Sequence, residues 1–230
     1  MFGYHQFVAK PKAASCPRAY SLGRRQELSD RKRAKILATA RAQLESNGLL
    51  NFSLESIAQQ SGVTRQTVYN LFGTRAGLLE ALFDQLALPG GMERMRSVMR
   101  ETNAESALTS FVDVFCGFWG KDRLLIRRIH GIAATDPEFG AAVEARNRRR
   151  QGAAARIVGL LDATHGKQTG QEHSQRATTL WALTSFEFFD ALADGCGSIA
   201  GAAQLVQSLV KGALFYASGQ SARQALKGRR

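Results

Sequence analysis

Between Ser53 and Thr74, hydroxyl residues and glycines alternate at intervals that leave room only for short helices, in the stretch SLESIAQQSGVTRQTVYNLFGT. Ser53 can accept hydrogen bonds from the free amides of a first turn. Phe52 before it and Ile57 after it occupy the two apolar positions that set a helix's entry angle. Gly62 closes that helix in a tight turn, and Thr64 is placed to cap the next, over residues 65–72. Val63 and Val68 repeat the flanking pair. Gly73 ends this helix, and Thr74 caps another through about Leu86. On the 65–72 helix, Val68 and Phe72 lie four apart and point inward. Arg65, Gln66, Thr67, Tyr69 and Asn70 face outward or sideways. About eight residues at 1.5 Å each span roughly 12 Å, near the width of the DNA major groove. So short a helix adds little to a core, which makes its exposed side the reason for it.

The rest of the chain is also helical in period. Ile36, Leu37, Ala40 and Leu44 recur at spacings of three and four from Ser29, and SNG at 46–48 closes that run. LPGG at 88–91 is an internal break. Beyond it the periodicity predicts helices around 108–119, 122–134, 139–161, 173–194 and 199–218, with 162–172 as a loop. Few stretches favour strands, and no repeat of 20 to 50 residues is visible. The class is all-α. Residues 1–28 read as a flexible basic arm, 29–86 as a compact helical unit with a connecting helix, and 87–230 as a larger helical unit.

Charge narrows the partners. The chain has 31 Lys and Arg against 19 Asp and Glu, a net charge of +12. Residues 1–41 hold ten basic residues against Glu27 and Asp30, a local +8. Such a balance favours a polyanion, either nucleic acid or an anionic membrane surface. Cys16, Cys116 and Cys196 match no metal spacing and suit a reducing compartment. The first 28 residues lack an apolar signal core, and no apolar run reaches membrane-spanning length. The expectation is a cytoplasmic protein with no membrane partner.

Residues 29–86 resemble the DNA-binding domain of the TetR (tetracycline-repressor)/AcrR-type bacterial transcriptional regulators. The resemblance rests on an ILATA-type first helix, then SLESIAQQSGV, TVYNLF and AGLLEAL in order. It implies a helix-turn-helix whose second helix contacts DNA through Arg65, Gln66, Thr67, Tyr69 and Asn70. Arg75 takes the place where a Lys usually meets phosphate, and Thr64, Ser53 and Arg31 complete the expected DNA-binding set. Two departures stand out: Leu71 replaces a frequent His, and GTRAG replaces a Ser-Lys-Glu pattern. The resemblance further implies a homodimer on a palindromic double-stranded DNA operator. A small apolar or amphipathic effector would release that dimer, making the protein a ligand-responsive regulator, in the first instance a repressor.

Phe111, Phe115, Trp119, His130, Trp181, Phe186 and Phe189 are the candidate effector-contacting residues, with core packing and a dimer seam as their simpler uses. The run LWALTSFEFFDAL at 180–192 has large apolar groups around its whole circumference. It is therefore expected to be covered partly by a second subunit, with Glu187 and Asp190 as polar exceptions needing partners. RNRRR at 146–150 reads as a solvated helix face. No enzyme, metal or cofactor is expected. The four histidines show no metal-ligand spacing, and GCGSIAG at 195–201 follows a helical pattern rather than a strand. The alternatives are a helical protein binding an anionic membrane or acidic protein, and a helical enzyme or small-molecule carrier.

Overall fold

The computed structural model describes residues 17–47, 52–166 and 168–227, and every regular element among them is helical. The small N-terminal unit comprises α1 (Pro17–Asn47), α2 (Leu54–Ser61), α3 (Arg65–Phe72) and α4 (Arg75–Ala87). Its caps fall where the hydroxyl residues predict. Ser53 accepts from the Ser56 N–H, Thr64 from Thr67 and Thr74 from Gly77. Gly62 turns the chain between α2 and α3 in the left-handed region, at φ 65°, where a side chain would be strained. Ile36, Ala40 and Leu44 of α1 are fully buried, as are Ile57 of α2, Val68 of α3 and Leu79 of α4. Eight residues are too few for a helix stable on its own in water, so α3 is held by caps and by Val68.

The larger unit begins after LPGG with a 3-10 turn (Met92–Arg94) and the one-turn α5 (Met95–Val98). It continues through α6 (Ala104–Lys121), α7 (Arg123–Ala133), α8 (Pro137–His165), α9 (Gly170–Leu183), α10 (Phe186–Cys196) and α11 (Ile199–Lys227). Helix α6 lies at its centre, with Leu108, Phe111, Val112, Phe115, Phe118 and Trp119 all buried. Ala202, Val206, Val210 and Leu214, four apart on α11, form the inward stripe of that helix. A buried carboxylate, Asp162 of α8, accepts from His173 Nδ1 at 2.7 Å and from Arg176, joining α8 to α9.

Four expectations are corrected. Helix α1 starts at Pro17 rather than Ser29, so residues 17–28 of the expected flexible arm are helical; residues 1–16 lie outside the described residues. Proline suits a first helical position because its missing N–H has no partner there anyway, and Gly23 is tolerated inside the helix. The single helix expected over 173–194 is two, because Thr184 and Ser185 interrupt it. Thr184 donates back to the Leu180 carbonyl at 2.8 Å, and extended Ser185 caps α10 by accepting from the Phe188 N–H at 3.2 Å. The expected loop at 162–172 is mostly helical. Helix α8 runs to His165, and α9 begins at Gly170 behind a reciprocal cap between Thr169 and Glu172. Helix α11 continues to Lys227 rather than stopping at 218.

Candidate nucleic-acid interface and ligand cavity

Helix α3 presents a polar face. Arg65 is 71% exposed, with its Nε 3.9 Å from Glu55 Oε2. Gln66 donates to Asn70 Oδ1 at 2.7 Å, and the Tyr69 ring is exposed although its helix neighbour Val68 is fully buried. The Thr64 hydroxyl accepts from the Thr67 amide at 3.1 Å and lies 2.9 Å from the Thr67 hydroxyl, so these two side chains brace the first turn. Ser53 does the same for α2, and its side chain is exposed beside the same surface. Arg31 is exposed on α1.

Helix α1 adds residues that sequence reasoning missed. Arg25 and Lys32, two turns apart, line a groove of about 380 Å³ whose other wall includes Thr67, Asn70 and Leu71 of α3. Arg33 donates to the Leu71 carbonyl at 3.1 Å, and its guanidinium lies 4.7 Å from the Phe72 ring centre. The seven-residue spacing of Arg25 and Lys32 is visible in the sequence. It has meaning only once residues 17–28 are known to continue the helix.

Arg75 has a partner within the chain. Its Nη1 donates to Asp136 Oδ2 at 2.9 Å, and its guanidinium lies 5.8 Å from the Phe52 ring centre. Asp136 also caps α8 by accepting from the Phe139 N–H at 3.1 Å, so a fixed carboxylate holds this arginine between the two units. Thr74 donates to Glu138 at 2.9 Å beside it. Arg41 of α1 pairs with Asp122, and Arg128 of α7 donates to the Leu44 carbonyl. The small N-terminal unit is thus tied to α7 and α8 by polar contacts as well as by packing.

The larger unit contains a cavity of about 330 Å³ between α4, α6, α7 and α8. Of the seven aromatic candidates, Phe115, Trp119 and His130 line it. The other four do not. Phe111 and Phe189 are core, and Phe186 is buried with its ring 5.6 Å from Trp119 and 4.7 Å from His130. Trp181 sits behind the wall, 5.2 Å from the Arg150 guanidinium. Trp119 Nε1 donates to the Thr184 carbonyl at 3.0 Å, which fixes the indole at the α9–α10 break.

The cavity's polar side comes from the cluster expected to be a solvated face. Arg146 and Arg150, one turn apart, turn inward with Asn147, whereas Arg148 is exposed on the outside of α8. The inward row Val143, Arg146, Asn147, Arg150, Ala154 and Ile157 keeps helical period, so position on that row was the available signal. Arg146 donates to Glu80 Oε2 at 3.3 Å and Asp84 Oδ1 at 2.7 Å, both on α4. Arg150 is 6% exposed. It donates to the Trp181 carbonyl, to Thr184 Oγ1 at 3.2 Å and to Asn147 Oδ1 at 3.3 Å. Burial pushes its pKa down to about 10.

The two acidic residues of the 180–192 run find partners within the chain. His130 Nδ1 lies 2.9 Å from Glu187 Oε1, and this hydrogen bond is the main cause holding the Glu187 carboxyl down at about 2. Asp190 accepts from Arg123 Nε at 2.5 Å and Arg127 Nε at 2.7 Å. Leu180, Phe186 and Phe189 are buried by their own chain, and Leu183 is partly buried against the same core. The large apolar side chains left exposed in this unit include Ile199, Leu205 and Leu209 of α11.

Residues 36–82 match the model of a family described as bacterial regulatory proteins, tetR family. The chain is 27% identical over 127 residues to the HTH-type transcriptional regulator EthR of Mycobacterium tuberculosis, covering 54% of this chain and 58% of EthR. The match thus spans less than two thirds of that relative's length. Among solved structures, a putative TetR-family transcriptional regulator from Mesorhizobium loti superposes with a TM-score of 0.60 at 24% identity, over 82% of this chain and 97% of its own. NalD of Pseudomonas aeruginosa, the secondary repressor of the MexAB-OprM multidrug efflux pump, superposes at 0.58 with 23% identity, over 82% and 96%. At these identities the superpositions are a likeness of fold.

Proposed function

We propose that the chain, which matches the tetR family of bacterial regulatory proteins over residues 36–82, is a cytoplasmic, ligand-responsive DNA-binding regulator of that family acting as a repressor. The observation that carries this reading is α3. It is a doubly capped, eight-residue helix whose exposed face consists of Arg65, Gln66, Tyr69 and Asn70. Arg and Gln read base edges through paired hydrogen bonds. Tyr69 and the amides at the start of α3 suit phosphate oxygens, which the helix dipole also attracts. Arg25, Arg31 and Lys32 extend the positive surface along α1 toward the flanking backbone.

The protein reads a palindrome as a homodimer, which sets two recognition helices about one DNA turn apart, roughly 34–36 Å, or a multiple of it. The exposed Leu205 and Leu209 make their flank of α11 the seam. This replaces the 180–192 run, which its own chain covers. The cavity holds the effector, and α4 connects it to DNA because Arg146 reaches Glu80 and Asp84 from the cavity wall. An effector that binds the DNA-releasing arrangement more tightly than the DNA-bound one shifts the equilibrium; equal affinity shifts nothing.

The test is selection of bound sequences from a random duplex pool by the full chain without added ligand. Enrichment of a palindrome supports sequence-specific dimeric binding. Recovery of DNA without any enriched motif rejects it.

A further inference from the structure

Arg150 is a buried cation on the wall of a cavity, and all its hydrogen-bond acceptors among the described residues are uncharged. Its Nε has no acceptor among the described residues. The carboxylate of Glu187, whose field reaches Arg150, is itself bound to His130. Burying a charge without a counter-charge is costly, and the cost falls when an ion of opposite sign enters the same space. Arg146 and Arg149 also line the cavity, against one carboxylate, Asp84, which Arg146 already engages. Apart from His130 and Asn147, the remainder of the wall is apolar and partly soft, and it includes Phe83, Phe118, Met92 and Met95.

We infer that this cavity takes a small amphipathic carboxylate, its anionic end held by the arginine row of α8 and its apolar body against Phe83, Phe118 and Met95. The inference rests on the regulator reading and names the ligand class of the same cavity. A single uncompensated buried charge calls for a monoanion, because Arg146 already has two carboxylates and Arg149 is exposed to solvent. Size points the same way. About 330 Å³ holds on the order of ten non-hydrogen atoms, at about 30 Å³ for each water-sized group. A body of that size with aromatic neighbours suits one ring and a short chain.

The experiment is calorimetric titration of the full chain with 4-phenylbutyrate, 4-phenylbutan-1-ol and 4-phenylbutylamine, which share a body and differ in end charge. The acid is expected to bind roughly tenfold or more tightly than the alcohol, as expected for losing a hydrogen bond to a charged group, and the amine most weakly. Arg150→Met should bring acid and alcohol close to equal affinity. Because Arg150 also holds the Trp181 carbonyl, that variant can fail to fold. Arg149→Gln, at an exposed position off the inward row, should leave the order of the three ligands unchanged. The wild-type order decides in either case. Alcohol or amine binding as tightly as the acid overturns the inference, and so does failure of all three to bind at millimolar concentration. An enriched palindrome together with a failed acid leaves the regulator and rejects the carboxylate. Acid preference with no enriched palindrome does the reverse.

Discussion

Arg65 and Gln66 are separated from the other polar residues of the small unit by what their side chains are free to do. Arg65 has one long, exposed ion pair, and Gln66 only an amide contact within its own helix. Both can exchange these for base edges at little cost. Arg65→Ala or Gln66→Ala should weaken the preferred site by roughly 1–3 kcal/mol more than random duplex. Tyr69→Phe should weaken both about equally, since phosphate contacts position without specifying. Fluorescence titration with matched and scrambled duplexes measures the difference, and equal losses for all three variants count against these roles. A second residue explains a departure from the family pattern. A Cβ built on Gly77 would lie 2.1 Å from the Phe72 carbonyl oxygen, so the α3–α4 corner closes only over glycine. Gly77→Ala should lower stability by roughly 1–3 kcal/mol, the usual range for overpacking, read from the urea midpoint. An unchanged midpoint would mean the corner relaxes freely.

At the scale of elements, α1 and α11 each carry a face that their own chain leaves uncovered. On α1, Arg24, Arg25 and Lys32 are exposed, and Arg25 and Lys32 border α3. Replacing all three with Gln should flatten the dependence of log affinity on log salt by about 0.9 for each phosphate no longer neutralised. An identical slope would make them solubilising charges. On α11, Leu205 and Leu209 flank the buried stripe and are 37% and 39% exposed. Leu205→Arg with Leu209→Arg should give a folded monomer by sedimentation, because charge at the centre of an apolar seam is strongly unfavourable. A dimer of wild-type stability would place the seam elsewhere. Leu183→Arg, by contrast, should destabilise the monomer itself, since Leu183 packs against the core.

Across the whole molecule, the two units meet through charges at both ends of α4. Arg75 pairs with Asp136 at its start, and Glu80 and Asp84 pair with Arg146 further along. Surface ion pairs of this exposure each contribute modestly, about 0.2–1 kcal/mol. Their importance lies in linking a cavity-wall residue to the helix that follows the proposed recognition helix. Glu80→Gln with Asp84→Asn should therefore leave ligand affinity largely intact while shrinking the ligand-dependent change in DNA affinity. Titrating DNA with and without saturating ligand checks this; a wild-type response in the double variant would route the coupling through packing alone.

The sequence by itself determined α2, α3 and the start of α4 within the small unit, but not where α1 begins. Caps, glycine turns and apolar flanking pairs act within a few residues of one another, so Ser53, Gly62, Thr64, Gly73 and Thr74 mark α2, α3 and the start of α4 where they occur. The all-helical class and the outward face of α3 follow from the same local chemistry. Only the tertiary structure decided which charges are partnered. Arg75 turns to Asp136, sixty-one positions away, and His130 and Glu187 meet across fifty-seven. It also decided the cavity. Helical period puts Arg146 and Arg150 on one row, but whether that row meets water or a hollow depends on where α4, α6 and α7 pack against it. The apolar circumference of 180–192 likewise suggested a second subunit, where the Thr184–Ser185 break lets one chain fold over both halves. Local hydrogen bonding is written in adjacent residues, whereas burial and charge compensation are properties of what the fold brings alongside.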